Sequence, residues 1–110
     1  MQVDSVITNN YSNCKVALDA LKNLTDPEIG LNIVDLGLIY QIDFDDELRK
    51  LYCTMTLTTK FCPMGESIIH AAEEILKNSF SEYETIINLT FEPSWNHDRI
   101  SAEGKQFLNY

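Results

Sequence analysis

Apolar residues recur at three- and four-residue spacing through 12–24, SNCKVALDALKNL, where Cys14, Ala17, Leu18, Leu21 and Leu24 form one stripe. That period predicts an amphipathic helix. Ser12 or Asn13 stands where a cap is needed, and Pro27 biases Asp26 away from helical dihedrals, so the helix should stop near Thr25. DPEIG then reads as a turn that Asp26 caps and Pro27 opens. A second break falls at Asp35-Leu36-Gly37, across which Asp35 can bond its own backbone. Over 38–44 the residues Leu38, Tyr40, Ile42 and Phe44 share one parity, which predicts a strand, with Ile39 interrupting the alternation. Asp45, Asp46 and Glu47 make a short polar link to a second strand over 51–59. Here Leu51, Cys53, Met55 and Leu57 alternate with Tyr52, Thr54, Thr56 and Thr58. The short link predicts a hairpin.

The most regular helical pattern covers 63–78, with Met64, Ile68, Ala71, Ala72, Ile75 and Leu76 on a broad stripe and Glu66, Glu73, Glu74 and Lys77 mostly off it. Residues 84–91, ETIINLTF, predict a third strand with Ile87, Leu89 and Phe91 on one face, ended by Pro93. A short helix is expected after Ser101. The order helix–strand–strand–helix–strand–short helix predicts an α+β fold: a small two-layer domain whose mixed sheet is covered by helices on one face. If the strands flanking the second helix are parallel, their crossover should be right-handed. The chain's 110 residues suit one domain, assigned to 12–110, with 1–11 expected to be loosely ordered.

Charge narrows the partners. Seventeen acidic against eight basic residues leave a net charge of -9, which disfavours nucleic acid and anionic membrane. No basic-then-apolar leader opens the chain, and no run approaches the ~20 apolar residues of a membrane span. The cysteines, Cys14, Cys53 and Cys62, are odd in number and lack a CxxC pair. A reducing cytoplasm therefore suits them better than a disulfide scaffold.

TTKFCPMGE, residues 58–66, puts Cys62 between the second strand and the second helix, with Pro63 suited to the first helical position. Unpaired amides at a helix start favour an anion, and a thiolate is one. Such a thiol would have a lowered pKa and a larger reactive fraction. Lys60 could add positive charge. The alternative is a small structural residue at a strand–helix corner, and position alone does not choose between them. Cys53, on the apolar parity, reads as core, and Cys14 as a packed residue of the first helix. His70 reads as a surface residue of the second helix. His97, beside Asp98 in a loop, is a minor candidate metal ligand. No ligand pair has the close spacing of a structural zinc site; one cysteine from each of two chains could hold a bridging metal or cluster, with carboxylate or exogenous thiol help. Gly30, Gly37, Gly65 and Gly104 stand apart and form no phosphate-binding loop.

Three segments together, DPEIGLNIVDLGLIY at 26–40, MTLTTKFCP at 55–63 and LTFEPSWNHDRISAEGKQFL at 89–108, resemble the MIP18-like family, once called domain of unknown function 59. Its members include cytosolic iron–sulfur assembly factors, bacterial accessory proteins of the sulfur-mobilisation system and the small accessory protein of phenylacetate degradation. The resemblance implies a reactive cysteine at Cys62, a supporting threonine at Thr58 and a nearby acidic motif at Asp26, Glu28 and Asp35. It also matches Pro93, Trp95, Ile100 and Ser101 in the tail. Many relatives carry a small pair before the cysteine where this chain has Lys60-Phe61. The expected role is a cytoplasmic iron–sulfur assembly or target-maturation factor, an accessory protein and not an enzyme. Cys62 would be a transient contact for iron, a cluster or a client thiol, and no cofactor would be tightly bound. Expected partners are iron–sulfur assembly proteins or client apoproteins, with a homodimer as one arrangement. A metal-free adaptor and a thiol-dependent enzyme or redox protein are the rivals.

Overall fold

The computed structural model describes residues 2, 3, 5–59 and 65–109. Cys62 and the predicted helix start at Pro63 lie outside the described residues, as do Lys60, Phe61 and Met64. The described residues form a five-stranded mixed sheet in the order β1–β2–β3–β4–β5. Strands β1 (Gln2–Val3) and β2 (Val6–Thr8) pair antiparallel. Helix α1 (Tyr11–Leu21) leads to β3 (Ile39–Asp45), parallel to β2. A hairpin joins β3 to β4 (Lys50–Met55), and α2 (Gly65–Ser79) leads to β5 (Glu84–Leu89), parallel to β4. A 3-10 turn at His97–Arg99 and α3 (Ala102–Phe107) complete the tail. Two parallel crossovers therefore flank one central hairpin. This is the two-layer α+β architecture that the hydrophobic pattern predicts.

Within the stretch expected to be loosely ordered, Gln2–Val3 and Val6–Thr8 pair at the edge of the sheet. The run Val6-Ile7-Thr8 is too short to register as a strand by periodicity, and its pairing with Gln41 and Ile42 comes from β3. Asn10, not Ser12 or Asn13, caps α1: its backbone is extended and its side chain accepts from the Asn13 amide at 3.0 Å. The helix ends at Leu21, before the predicted stop, because the chain must already turn back. Thr25 pairs with Asn32, and the Ile33 amide donates to the Leu24 carbonyl at 3.0 Å.

A bulge between Ile39 and Gln41 explains the broken alternation of β3. It puts Ile39, Ile42 and Phe44 in the core and turns Tyr40 partly outward. In β4 the predicted alternation holds, with Leu51, Cys53 and Met55 wholly buried. The strand ends at Met55, earlier than expected, and Thr56 is buried although it belongs to the polar parity. Beyond Met55 the ladder has run out, and Thr56 is held by its amide bonding the Leu38 carbonyl at 2.8 Å. Strand β5 stops at Leu89, which is 44% exposed on an outer strand that pairs, among the described residues, with β4 alone.

Helices α1 and α2 pack beside one another. Leu18 and Leu21 of the first, and Ile68, Ala72 and Leu76 of the second, join Ile42, Leu51, Cys53 and Met55 in the core. Each fully buried Leu, Ile or Met contributes roughly 1.5–3 kcal/mol relative to exposure. Phe44, Phe80 and Tyr83 meet edge to face, with centroids 5.1–6.3 Å apart, and fasten the α2–β5 turn to the hairpin.

Candidate functional site

All three segments that carry the family resemblance meet at one end of the sheet. Ile39 opens β3, pairs with Met55 at the end of β4, and Met55 pairs with Leu89 at the end of β5. The loop before β3, the loop after β4 and the tail after β5 therefore leave from a single row of residues. In parallel β–α units, ligands gather beyond the carboxyl ends of the strands. Cys62 belongs to the segment that joins the carboxyl end of β4 to α2. The described stretch leading in is firmly seated: Leu57 is buried, Thr58 is half-buried, and the Thr90 amide donates to the Met55 carbonyl at 2.9 Å. Thr58 thus lies past the end of the strand and not within it.

Asp26 is 2% exposed and works as a cap. Its Oδ1 accepts from the amides of Glu28 at 2.8 Å and Ile29 at 3.3 Å, while Gly30 donates to its carbonyl. Glu28 is exposed. Asp35 does not cap its own turn, as the pattern suggested. The Gly37 amide instead donates to the Val34 carbonyl at 2.9 Å, and Asn32 Oδ1 accepts from the Asp35 amide at 2.9 Å, leaving the Asp35 carboxylate to other partners. That carboxylate accepts from Asn32 Nδ2 at 2.7 Å and Ser101 Oγ at 2.9 Å, and the Ser101 amide donates to the Asp35 carbonyl at 2.8 Å. Ser101 in turn caps α3 through the Gly104 amide at 2.9 Å. The first acidic motif and the tail motif are thus joined by one carboxylate. Asp35 also borders a groove of about 790 Å³, together with Lys22, Asn96, Arg99 and Glu103.

Trp95 anchors the tail, its indole donating to the Leu36 carbonyl at 2.6 Å. Sequence reasoning passed over Arg99 and gave Tyr40 no part in the site. Arg99 Nε donates to the Gly37 carbonyl at 3.1 Å, and its guanidinium lies 4.0 Å from the centre of the Tyr40 ring. Tyr40 donates to the Pro93 carbonyl at 2.6 Å. The parity assigned to Tyr40 hid it, and nothing local marks Arg99 as the residue that meets Gly37. His97 is exposed against Trp95, with ring centroids 5.2 Å apart. Among the described residues, Asp26, Glu28, Asp35 and His97 do not converge on a common ion. Among the described residues, His70, Glu73 and Glu74 on α2 do bring ligand atoms within 4.8 Å of one another.

Replacing Asp35 by Ala removes two charge-assisted hydrogen bonds at a half-buried position, so a loss of about 2–3 kcal/mol is expected. Urea unfolding followed by Trp95 fluorescence measures it, and an unchanged midpoint would refute the carboxylate's bracing role.

Cys14 and Cys53 are fully buried. Burial, reinforced by neighbouring Cys14, pushes the Cys53 thiol up to about 12. Neither is placed to meet a ligand arriving from solution. With two of the chain's three cysteines sealed in the core, Cys62 is the remaining candidate for thiolate chemistry.

A family model described as iron–sulfur cluster assembly protein matches residues 15–85. The Fe-S protein maturation auxiliary factor SufT of Staphylococcus aureus is 40% identical over 82 residues, 73% of this chain and 90% of that protein. The Fe-S protein maturation auxiliary factor YitW of Bacillus subtilis is 33% identical over 88 residues, 80% of this chain and 85% of its own length. The crystal structure of a domain of unknown function DUF59 from Bacillus anthracis superimposes with a TM-score of 0.80 at 31% identity, covering 86% of this chain and 90% of that one.

Proposed function

We propose, from the premise that the chain belongs to the iron–sulfur cluster assembly protein family, that Cys62 is its point of contact with cargo. The protein is an accessory factor in iron–sulfur cluster assembly or maturation. Iron, or a nascent cluster, is cargo and not a resident cofactor. One observation carries this reading: Cys14 and Cys53 are sealed in the core, so each chain offers a single thiolate. Iron–sulfur clusters are commonly held by four thiolates. One chain therefore supplies a quarter of such a shell, and the rest must come from a client's cysteines, a small thiol or a second copy. Incomplete coordination suits handover, because no resident cage has to be dismantled.

The seating of the loop supports this role. Asp26 stiffens the acidic turn, and Asp35 ties it to the tail, so both act as positioning residues for the sheet end from which the Cys62 segment departs. Glu28 and Thr58 complete the surface a partner meets. The net charge of -9 directs the molecule towards protein partners, assembly proteins or client apoproteins, in a reducing cytoplasm.

Anaerobic reconstitution with ferrous iron, sulfide and glutathione tests the proposal. The native chain should acquire visible absorption and pass iron to an apoprotein, alone or as a Cys62-bridged dimer visible by sedimentation. Cys62→Ser should lose essentially all of both while keeping its circular dichroism. Equal iron in the two proteins would defeat the proposal. Client binding without any iron in either would point to the metal-free adaptor.

A further inference from the structure

We propose that the outer face of α2 carries a binding site for a first-row divalent transition ion, formed by His70, Glu73 and Glu74. Residues three and four apart on a helix stand side by side. The H-x-x-E-E spacing therefore brings an imidazole and two carboxylates to one patch. One ligand atom from each lies within 4.8 Å of the other two. Small rotamer changes bring such a triangle onto an ion at ~2.0–2.2 Å, the bond length of imidazole and carboxylate ligands. A histidine and a glutamate three apart on one helix already serve as a metal-binding pair in carboxylate-bridged di-iron proteins.

The donor set decides the class of ion. Two carboxylates balance a double positive charge, and the imidazole favours Fe²⁺, Co²⁺ or Zn²⁺ over Mg²⁺ and Ca²⁺, which prefer oxygen. Lys77 now acts as the local cation, 3.0 Å from Glu73 and 3.9 Å from Glu74. An entering ion must displace this ammonium, and its remaining coordination positions face solvent or a partner. Affinity is therefore modest and exchange fast. The buried face of α2, with Ile68, Ala72 and Leu76, lies on other positions of the helix, so the site can be altered without touching the core. The inference is independent of Cys62, which is absent from the ligand set.

Titration of Co²⁺ into the full chain carrying Cys62→Ser, followed by amide NMR, tests it with thiolate binding removed. Saturable shifts centred on residues 70–77 are expected. Adding His70→Ala should weaken binding at least about tenfold, and equimolar Mg²⁺ should not compete. Shifts centred elsewhere, an unchanged affinity in His70→Ala, or competition by Mg²⁺ at equal concentration would each overturn the site and leave an ordinary acidic helix face.

Discussion

Alanine at Gly37 is expected to destabilise the protein by roughly 3–5 kcal/mol, whereas alanine at Gly30 should cost only about 1–2 kcal/mol. The two glycines have nearly the same backbone, with φ of +81° and +84°. Each substitution therefore carries the left-handed penalty. They differ in what surrounds them. A Cβ on Gly30 meets nothing within 4 Å, while one on Gly37 would lie 2.2 Å from the Arg99 carbonyl oxygen and 2.7 Å from the Arg99 Cβ. Backbone cannot step aside as a flexible side chain can. The tail must lift, taking with it the Arg99–Gly37, Trp95–Leu36 and Ser101–Asp35 hydrogen bonds. For a domain with ~5–15 kcal/mol in total, such a loss threatens folding at physiological temperature. Urea denaturation of both variants decides the matter. Equal shifts for Gly30→Ala and Gly37→Ala would mean that the tail's close approach contributes nothing.

The second large effect concerns the thiols. Maleimide should label the native protein at Cys62 alone, and Cys62→Ser should label only on unfolding. Raising the Cys53 pKa from 9.0 to about 12 cuts its thiolate population about a thousandfold at neutral pH, before access is considered. The same shift makes stability depend on alkali. The folded state holds the Cys53 proton up to about pH 12, while the unfolded chain releases it near 9.0. The folded state therefore binds more protons between those values, and stability falls as pH rises through them. The slope is about 1.4 kcal/mol per pH unit, approaching about 4 kcal/mol at the upper end. This contribution is fully present below pH 9. Comparing the pH dependence of urea midpoints for the native chain and Cys53→Ala isolates it, since the variant lacks that part of the alkaline slope. Parallel curves, or rapid maleimide labelling of Cys53 in the folded chain, would contradict the buried placement.

Sequence periodicity was most informative where an element buries one regular face. The α2 stripe and the alternation of β4 read directly from local spacing, because helix and strand geometry repeats over a few residues. The same logic failed where long-range partners decide. Thr8 is buried because β3 lies beside β2, and Tyr40 leaves the expected face because a bulge resets the parity of β3. Asp35 looked like a cap for its own turn, yet its carboxylate reaches Ser101, which lies 66 residues away in sequence.

By itself, the sequence determined the family and the α+β layer order. These rest on residue types, local periods and motif order, all of which survive without coordinates. Tertiary structure alone decided that the three motif segments share one end of the sheet and that Gly37 is reserved for Arg99. It also sealed Cys14 and Cys53, which the apolar stripe and parity had already placed among packed residues. Each of these depends on pairs of residues far apart along the chain, whose meeting is set by strand pairing and core packing, not by the spacing of neighbours.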